Sequence, residues 1–169
     1  MKLIHYFPFF ILVIIFSCTK PPDYPIEPVI EFKELDRNWM VAGRLPTDSI
    51  WITFSFTDGD GDLGNNDTIH DVYLKDTRFP DIPLVNPSRY KLPLVPIQGV
   101  GNGISGDITL LVYTSCCTFP EGTYIACDTL AYLEFPIDTL VYEIYIIDRA
   151  GHESNRILAD PIILDCKVN

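Results

Sequence analysis

Three carboxylates at alternate positions, Asp58, Asp60 and Asp62, are the residues of this sequence whose type and spacing best suit chemistry. Gly59 and Gly61 separate them, and the group stands where a strand-like run ends. Carboxylates on every second residue can converge on one hard cation, and the intervening glycines let the backbone turn tightly around it. Without a cation or wide solvation such charges repel one another. The spacing matches the first three ligands of an EF-hand loop, but Leu63 stands where that loop needs glycine and Ile69 where it needs a bidentate glutamate, so the loop is not an EF-hand. Further oxygen donors are Asp67 in the same loop and Asp148 in the corner Ile147–Asn155. This donor set predicts calcium, bound as a structural ion. The competing expectation is a solvated turn, since Asp-Gly pairs are ordinary turn chemistry. For Asp148 that means a carboxylate bonded to its own backbone, with Arg149 or His152 neutralising the loop.

The elements that must position these residues read as strands. In Ile50–Thr57 the period is two, which puts Ile50, Ile52, Phe54 and Phe56 on one face. Other β-rich stretches are Val29–Leu35, Trp39–Leu45, Asp71–Lys75, Asp107–Thr114, Thr123–Ala126, Leu130–Phe135, Val141–Asp148 and Arg156–Leu164. No window carries a convincing amphipathic helix, and Gly, Pro and Asp divide the runs. Thr77–Gly106, rich in proline and glycine, reads as edge strand and loop. The predicted fold is all-β, an immunoglobulin-like antiparallel β-sandwich. In that order of strands, the loop after the second strand and the loop before the last lie at the same end, which brings Asp148 toward Asp58–Asp62. The Asp-rich loop itself resembles the calcium-binding loops between strands of cadherin-like extracellular domains.

Before the sandwich, Met1 and Lys2 precede an apolar run, Leu3–Phe16, too short for a lasting membrane span. The quartet Ile15-Phe16-Ser17-Cys18 resembles the lipobox of bacterial lipoproteins, although Phe16 is larger than the usual residue. The resemblance implies cleavage before Cys18 and lipidation there. The expected organisation is a signal peptide over 1–17, a Pro-rich tether over 18–28 and one β-sandwich domain over 29–169. The formal net charge is −11, and loss of Lys2 makes it one unit more negative. That charge argues against nucleic acid as a partner.

The remaining cysteines, Cys116, Cys117, Cys127 and Cys166, are even in number, as suits an oxidising compartment. Neighbouring cysteines rarely bond each other. One of Cys116 and Cys117 is expected to pair with Cys127 and the other with Cys166, all at the end opposite the Asp loop. The spacing lacks the paired knuckles of a zinc site.

The segments Cys116–Gly122 and Asp138–Gly151, together with the Asp-Gly-Asp-Gly-Asp loop, resemble a group of uncharacterised Gram-negative lipoproteins. That resemblance implies a lipid-anchored envelope protein with a presumed immunoglobulin-like fold, and Thr19 after the cysteine leans toward the outer membrane. It supplies no activity. Signatures of serine hydrolases, zinc proteases and phosphate-binding loops are missing from the sequence. The expectation is a non-catalytic module that binds an envelope protein or glycan; the alternative is a secreted metal-assisted hydrolase using the Asp58–Asp62 loop. Tyrosines such as Tyr73, Tyr113, Tyr142 and Tyr145 could stack on sugars but fit cross-strand packing better. Ser49, Thr68, Thr129 and Thr139 stand in Asp-Ser/Thr-aliphatic triplets that resemble an O-glycosylation acceptor of some Gram-negative bacteria.

Overall fold

The computed structural model describes residues 23–44, 46–67, 69–79, 88–96, 103–118 and 134–167. The expected signal peptide, Cys18, the first part of the tether, Thr68, Cys127, Thr129, the strand over 123–126 and most of the strand over 130–135 lie outside these residues. Among the described residues, no helix is long and apolar enough to cross a membrane.

The alternating run becomes β3 (Ser49–Asp58), the centre of an antiparallel sheet with β1 (Val29–Leu35) on one side and β6 (Ile104–Tyr113) on the other. Ile50, Ile52 and Phe54 are fully buried, Phe56 half-buried, and Trp51 stands outward, as a period of two requires. The second layer is built from β4 (Val72–Asp76), β5 (Ser88–Tyr90), β8 (Tyr142–Ile146) and β9 (Ile157–Leu158), in the order β5-β4-β8-β9. It continues through β7 (Ile137–Leu140), β10 (Ile162–Asp165) and β2 (Trp39–Val41), in the order β2-β10-β7. Only Val141 separates β7 from β8. The Ala159 amide donates to Tyr142 O at 2.9 Å, carrying the pairing across the bend between β9 and β10. β2 runs parallel to β10; the other pairings are antiparallel.

Both layers send alternate residues inward. Ile30, Met40, Ile108, Leu110, Val112, Val72, Leu74, Leu140, Ile144, Ile146, Ile162 and Leu164 join the β3 residues in one core. The chain is therefore all-β and layered as a sandwich. Burial of each such side chain contributes about 1.5–3 kcal/mol.

Several expected strands differ in extent. Trp39–Leu45 keeps only β2, because the chain turns at Gly43, where a Cβ would strike the Thr47 side chain. Arg156–Leu164 breaks at Asp160-Pro161, where proline has no amide to give the ladder. Within Thr77–Gly106, β5 forms the edge of its sheet, as the sequence reading placed it.

Candidate metal centre

Asp58 is the last residue of β3, and Asp148 follows β8 after a single bridging residue, Ile147. Since β3 and β8 belong to different layers and both end at the same pole of the sandwich, the two loops meet there. One carboxylate oxygen from each of Asp58, Asp60, Asp62 and Asp148 lies within 4.8 Å of the others. The predicted approach of Asp148 to the Asp loop is thus present.

Asp67 is not part of this group. It is exposed, its Oδ1 accepts the Ile69 amide at 2.8 Å, and its carbonyl accepts the Lys91 ammonium. A carboxylate that bonds the amide two residues on closes its own turn and has turned away from the loop's centre.

Local hydrogen bonds shape the four. Asp58 is fully buried, and its Oδ2 accepts the Asp62 amide at 3.0 Å. Gly61, at φ 70°, supplies the left-handed turn between them. Leu63, at the position an EF-hand gives to glycine, is instead 1 % exposed and plugs the core, so the loop is anchored from below. Arg149 anchors it from the side: its guanidinium donates to Leu63 O at 3.1 Å and Gly64 O at 2.6 Å, and its amide to Asp62 O at 3.3 Å. Asp148 Oδ1 accepts the amides of Gly151 at 2.7 Å and His152 at 2.8 Å, while its Oδ2 lies 2.8 Å from His152 Nδ1. The self-bonded corner and the convergence on Asp58–Asp62 therefore coexist.

What the loop leaves unsatisfied is on its inner side. Oδ1 of Asp58, of Asp60 and of Asp62 is buried without a hydrogen-bond partner. A buried polar atom without a partner costs about 1–3 kcal/mol, and more when charged. Crowding shows in the acidities. Burial raises the Asp58 carboxyl from its ordinary value to about 6, helped by the neighbouring Asp60 and by the charges of Asp62 and Asp148. Asp62 is raised mainly by burial, then by Asp148 and Asp60, with Arg149 opposing. The Asp148 carboxylate raises His152. Four carboxylates, three with an orphaned buried oxygen, form a cluster that could hold a metal ion of the hard, oxygen-seeking kind.

Other singled-out residues fall elsewhere. Cys117 bonds Cys166, with Cα atoms 5.9 Å apart, at the pole opposite the Asp loop. Cys116 is itself disulfide-bonded, and its expected partner Cys127 lies outside the described residues. Tyr73 and Tyr145 stack with centroids 4.8 Å apart, and Arg89 and Arg156 cover the two ends of the stack at 5.8 and 4.2 Å. Their faces are taken up by cross-strand packing, the use expected of most of the tyrosines. Ser49 begins β3 half-buried, and Thr139 is exposed on β7.

Two buried polar groups have no local signal in the sequence. Asp71 accepts Asn65 Nδ2 at 2.5 Å and the Leu92 amide at 2.8 Å, tying the far end of the Asp loop to the segment before β6. Arg78 donates to Asp76 and Asp138, 2.6 Å each, at the cysteine pole. Asp76 is local to Arg78, whereas Asp138 for Arg78 and Leu92 for Asp71 are partners that only the fold brings in.

No protein-family model, curated protein or solved structure matches this chain.

Proposed function

We propose that this chain is an exported cell-envelope lipoprotein, anchored through Cys18, whose sandwich acts as a non-catalytic module for a protein or glycan partner and holds one structural calcium ion in its Asp loop. The observation that carries the reading is Asp58: fully buried, with Oδ1 unpartnered and a carboxylate oxygen within 4.8 Å of one from each of three other aspartates. Calcium accepts six to eight oxygens in flexible geometry, which suits carboxylates supplemented by loop carbonyls. Burial also favours a structural ion over a catalytic one. Asp58 is 0 % and Asp148 5 % exposed, and a metal that activates water for a substrate needs open positions.

The strand order supports the immunoglobulin-like reading of the sandwich. β1, β3 and β6 share one sheet, while β4, β8 and β9 share the other, which follows the division of that fold into its A-B-E and C-F-G sets. The address rests on the apolar run Leu3–Phe16, the lipobox-like Ile15–Cys18 and the resemblance to Gram-negative lipoproteins. An outer-membrane destination belongs to the same reading.

Titration calorimetry with calcium, with magnesium and zinc in parallel, tests the metal assignment on the full-length chain in detergent. Saturable heat with calcium at one ion per chain is expected. Absence of heat at millimolar calcium would return the loop to an acidic turn, and tighter zinc binding with hydrolytic activity would move the site to the hydrolase reading.

A further inference from the structure

The end of the sandwich that carries the Asp cluster also receives the N-terminal segment. Gly59, between the candidate ligands Asp58 and Asp60, donates its amide to Pro25 O at 2.8 Å. The segment lies so close that a Cβ on Gly59 would collide with the carbonyl oxygens of Tyr24 and Pro25. The Tyr24 ring lies over Gly103, where an added Cβ would sit 2.7 Å from its Cδ2 and 2.9 Å from Asp58 O. Beyond the tether, the first residues of β1 are held by the other loop: Asn155 accepts the Ile30 amide at 2.8 Å and donates to Ile30 O at 2.9 Å. Residues 24–30 thus cross the pole between the two loops that supply the four carboxylates.

We propose that the cation in the Asp loop latches the base of the tether, so that ion occupancy decides whether residues 24–27 lie fixed against the domain or swing free of it. This rests on the reading that the loop binds calcium. The physical link is Gly59. Gly59 lies between Asp58 and Asp60, so a change in how closely those two carboxylates approach moves its amide, and offsetting their mutual repulsion favours the close approach. With the ion present, the Gly59 amide faces Pro25 O and the strip beside Gly103 accepts Tyr24. Without it, the loop relaxes toward separated carboxylates, and the hydrogen bond and aromatic contact seen among the described residues are too little to hold a proline-rich chain against its own entropy. On the lipid-tethered reading, the same end faces the bilayer, so the latch sets whether the sandwich stands at a fixed angle to the membrane or pivots.

Hydrogen exchange followed by mass spectrometry on the full-length chain in detergent tests this, with calcium against chelator. If opening of the tether requires release of the ion, protection of the Gly59 amide, which donates to Pro25 O at 2.8 Å, rises on the order of a hundredfold when calcium is a hundred times its dissociation constant. Tyr24→Ala should keep the calorimetric heat of calcium binding and lose most of that protection. Calcium heat with unchanged Gly59 exchange would overturn the latch and leave the metal site standing. No heat at all would overturn both. Tyr24→Ala with wild-type Gly59 protection would show that the segment is held by something other than this contact, which also overturns it.

Discussion

Asp58 at the end of β3 and Asp148 just past β8 stand in opposite layers of the sandwich, yet each places a carboxylate oxygen within 4.8 Å of the other's and of those of Asp60 and Asp62. Two elements far apart in sequence are thereby joined through a cluster of like charge. The fold holds these acids together through core packing and backbone bonds, and an ion would remove the cost of doing so.

Calcium should raise the melting temperature, and chelator should lower it. The gain is about 2.7 kcal/mol at a calcium concentration a hundred times the dissociation constant, because a ligand that binds only the folded state must stabilise it. Asp60→Ala should erase most of the shift while the apo domain still folds, since Asp60 lies outside the core built on Ile52 and Phe54. Identical melting of the variant and wild type with and without calcium, followed by circular dichroism, would count against the site.

In chelator, stability should increase as pH falls from 7 to about 5. Asp58 has its folded value raised to about 6, and Asp62 and Asp71 are raised as well. An acid with a raised folded value takes up a proton on folding, so it contributes more stability below that value and less above it. His152, raised by Asp148, acts in the same sense: its contribution is present when protonated and fades as pH climbs. Below about pH 4 the trend should reverse, because Asp48 and Asp138 are lowered below their ordinary value of 3.8 by hydrogen bonds and charges that outweigh their burial. Urea midpoints across pH 3–8 measure this. With saturating calcium the rise between pH 7 and 5 should vanish or invert, as protons then compete with the ion.

Much of this arrangement was legible beforehand, and the limits have physical reasons. Ile50, Ile52 and Phe54 announced their face because burial selects every second residue of β3. Asp148 could be placed near Asp58 because the order of strands alone decides which loops share a pole. β7 is absent from the strands read in the sequence, since Ile137 is 60 % exposed and only Leu140 of its four residues is buried, too little alternation to register. The sequence offers Asp67 as a further oxygen donor in the same loop, whereas its position is decided by an amide two residues away. Leu63 marks the loop in the sequence only as not an EF-hand, whereas in the fold it is also one of the loop's anchors. Gly59 was assigned only to turning the chain; its lack of a side chain also lets Tyr24 and Pro25 approach, a contact no local pattern encodes.

Arg78→Leu should be destabilising, by up to about 3–5 kcal/mol, because Arg78 and its two partners are largely buried and removing the cation leaves their charges without compensation. Arg78 pairs with Asp76 and Asp138 with little side-chain exposure on any of the three, and it also donates to Cys116 O at 3.2 Å. Asp138 keeps only its bonds from Thr118 and the Thr139 amide. Urea denaturation of the variant measures the loss, and a change below about 1 kcal/mol, the level of an exposed pair, would contradict the buried assignment.

Reduction of the Cys117–Cys166 bond should lower stability by about 4 kcal/mol if the chain-entropy account of closing such a long loop holds. The bond joins residues separated by 49 positions and ties the chain beyond β6 to the residue after β10. Cys117→Ala with Cys166→Ala should therefore unfold at lower urea concentration. Calcium affinity should change little, since the bond lies at the pole opposite the Asp loop and effects at distant sites are nearly additive. Peptide mapping without reductant should recover the Cys117–Cys166 link; two free thiols at these positions would contradict it.

Replacing Cys18 tests the address apart from the fold. If the lipobox-like Ile15–Cys18 directs acylation, Cys18→Ala should abolish incorporation of labelled fatty acid and release the protein into the soluble envelope fraction. Acyl chains contribute about 0.8 kcal/mol per buried CH₂, and two or more chains anchor a protein stably where one does so only marginally. Loss of the anchor should therefore change partition almost completely. The sandwich should be untouched, because its core begins at Ile30, beyond the tether. The informative outcome is the combination: a released protein with the wild-type melting temperature and an unchanged response to calcium supports an anchor separate from a self-sufficient domain. Continued membrane partition with undiminished label would remove the lipoprotein reading.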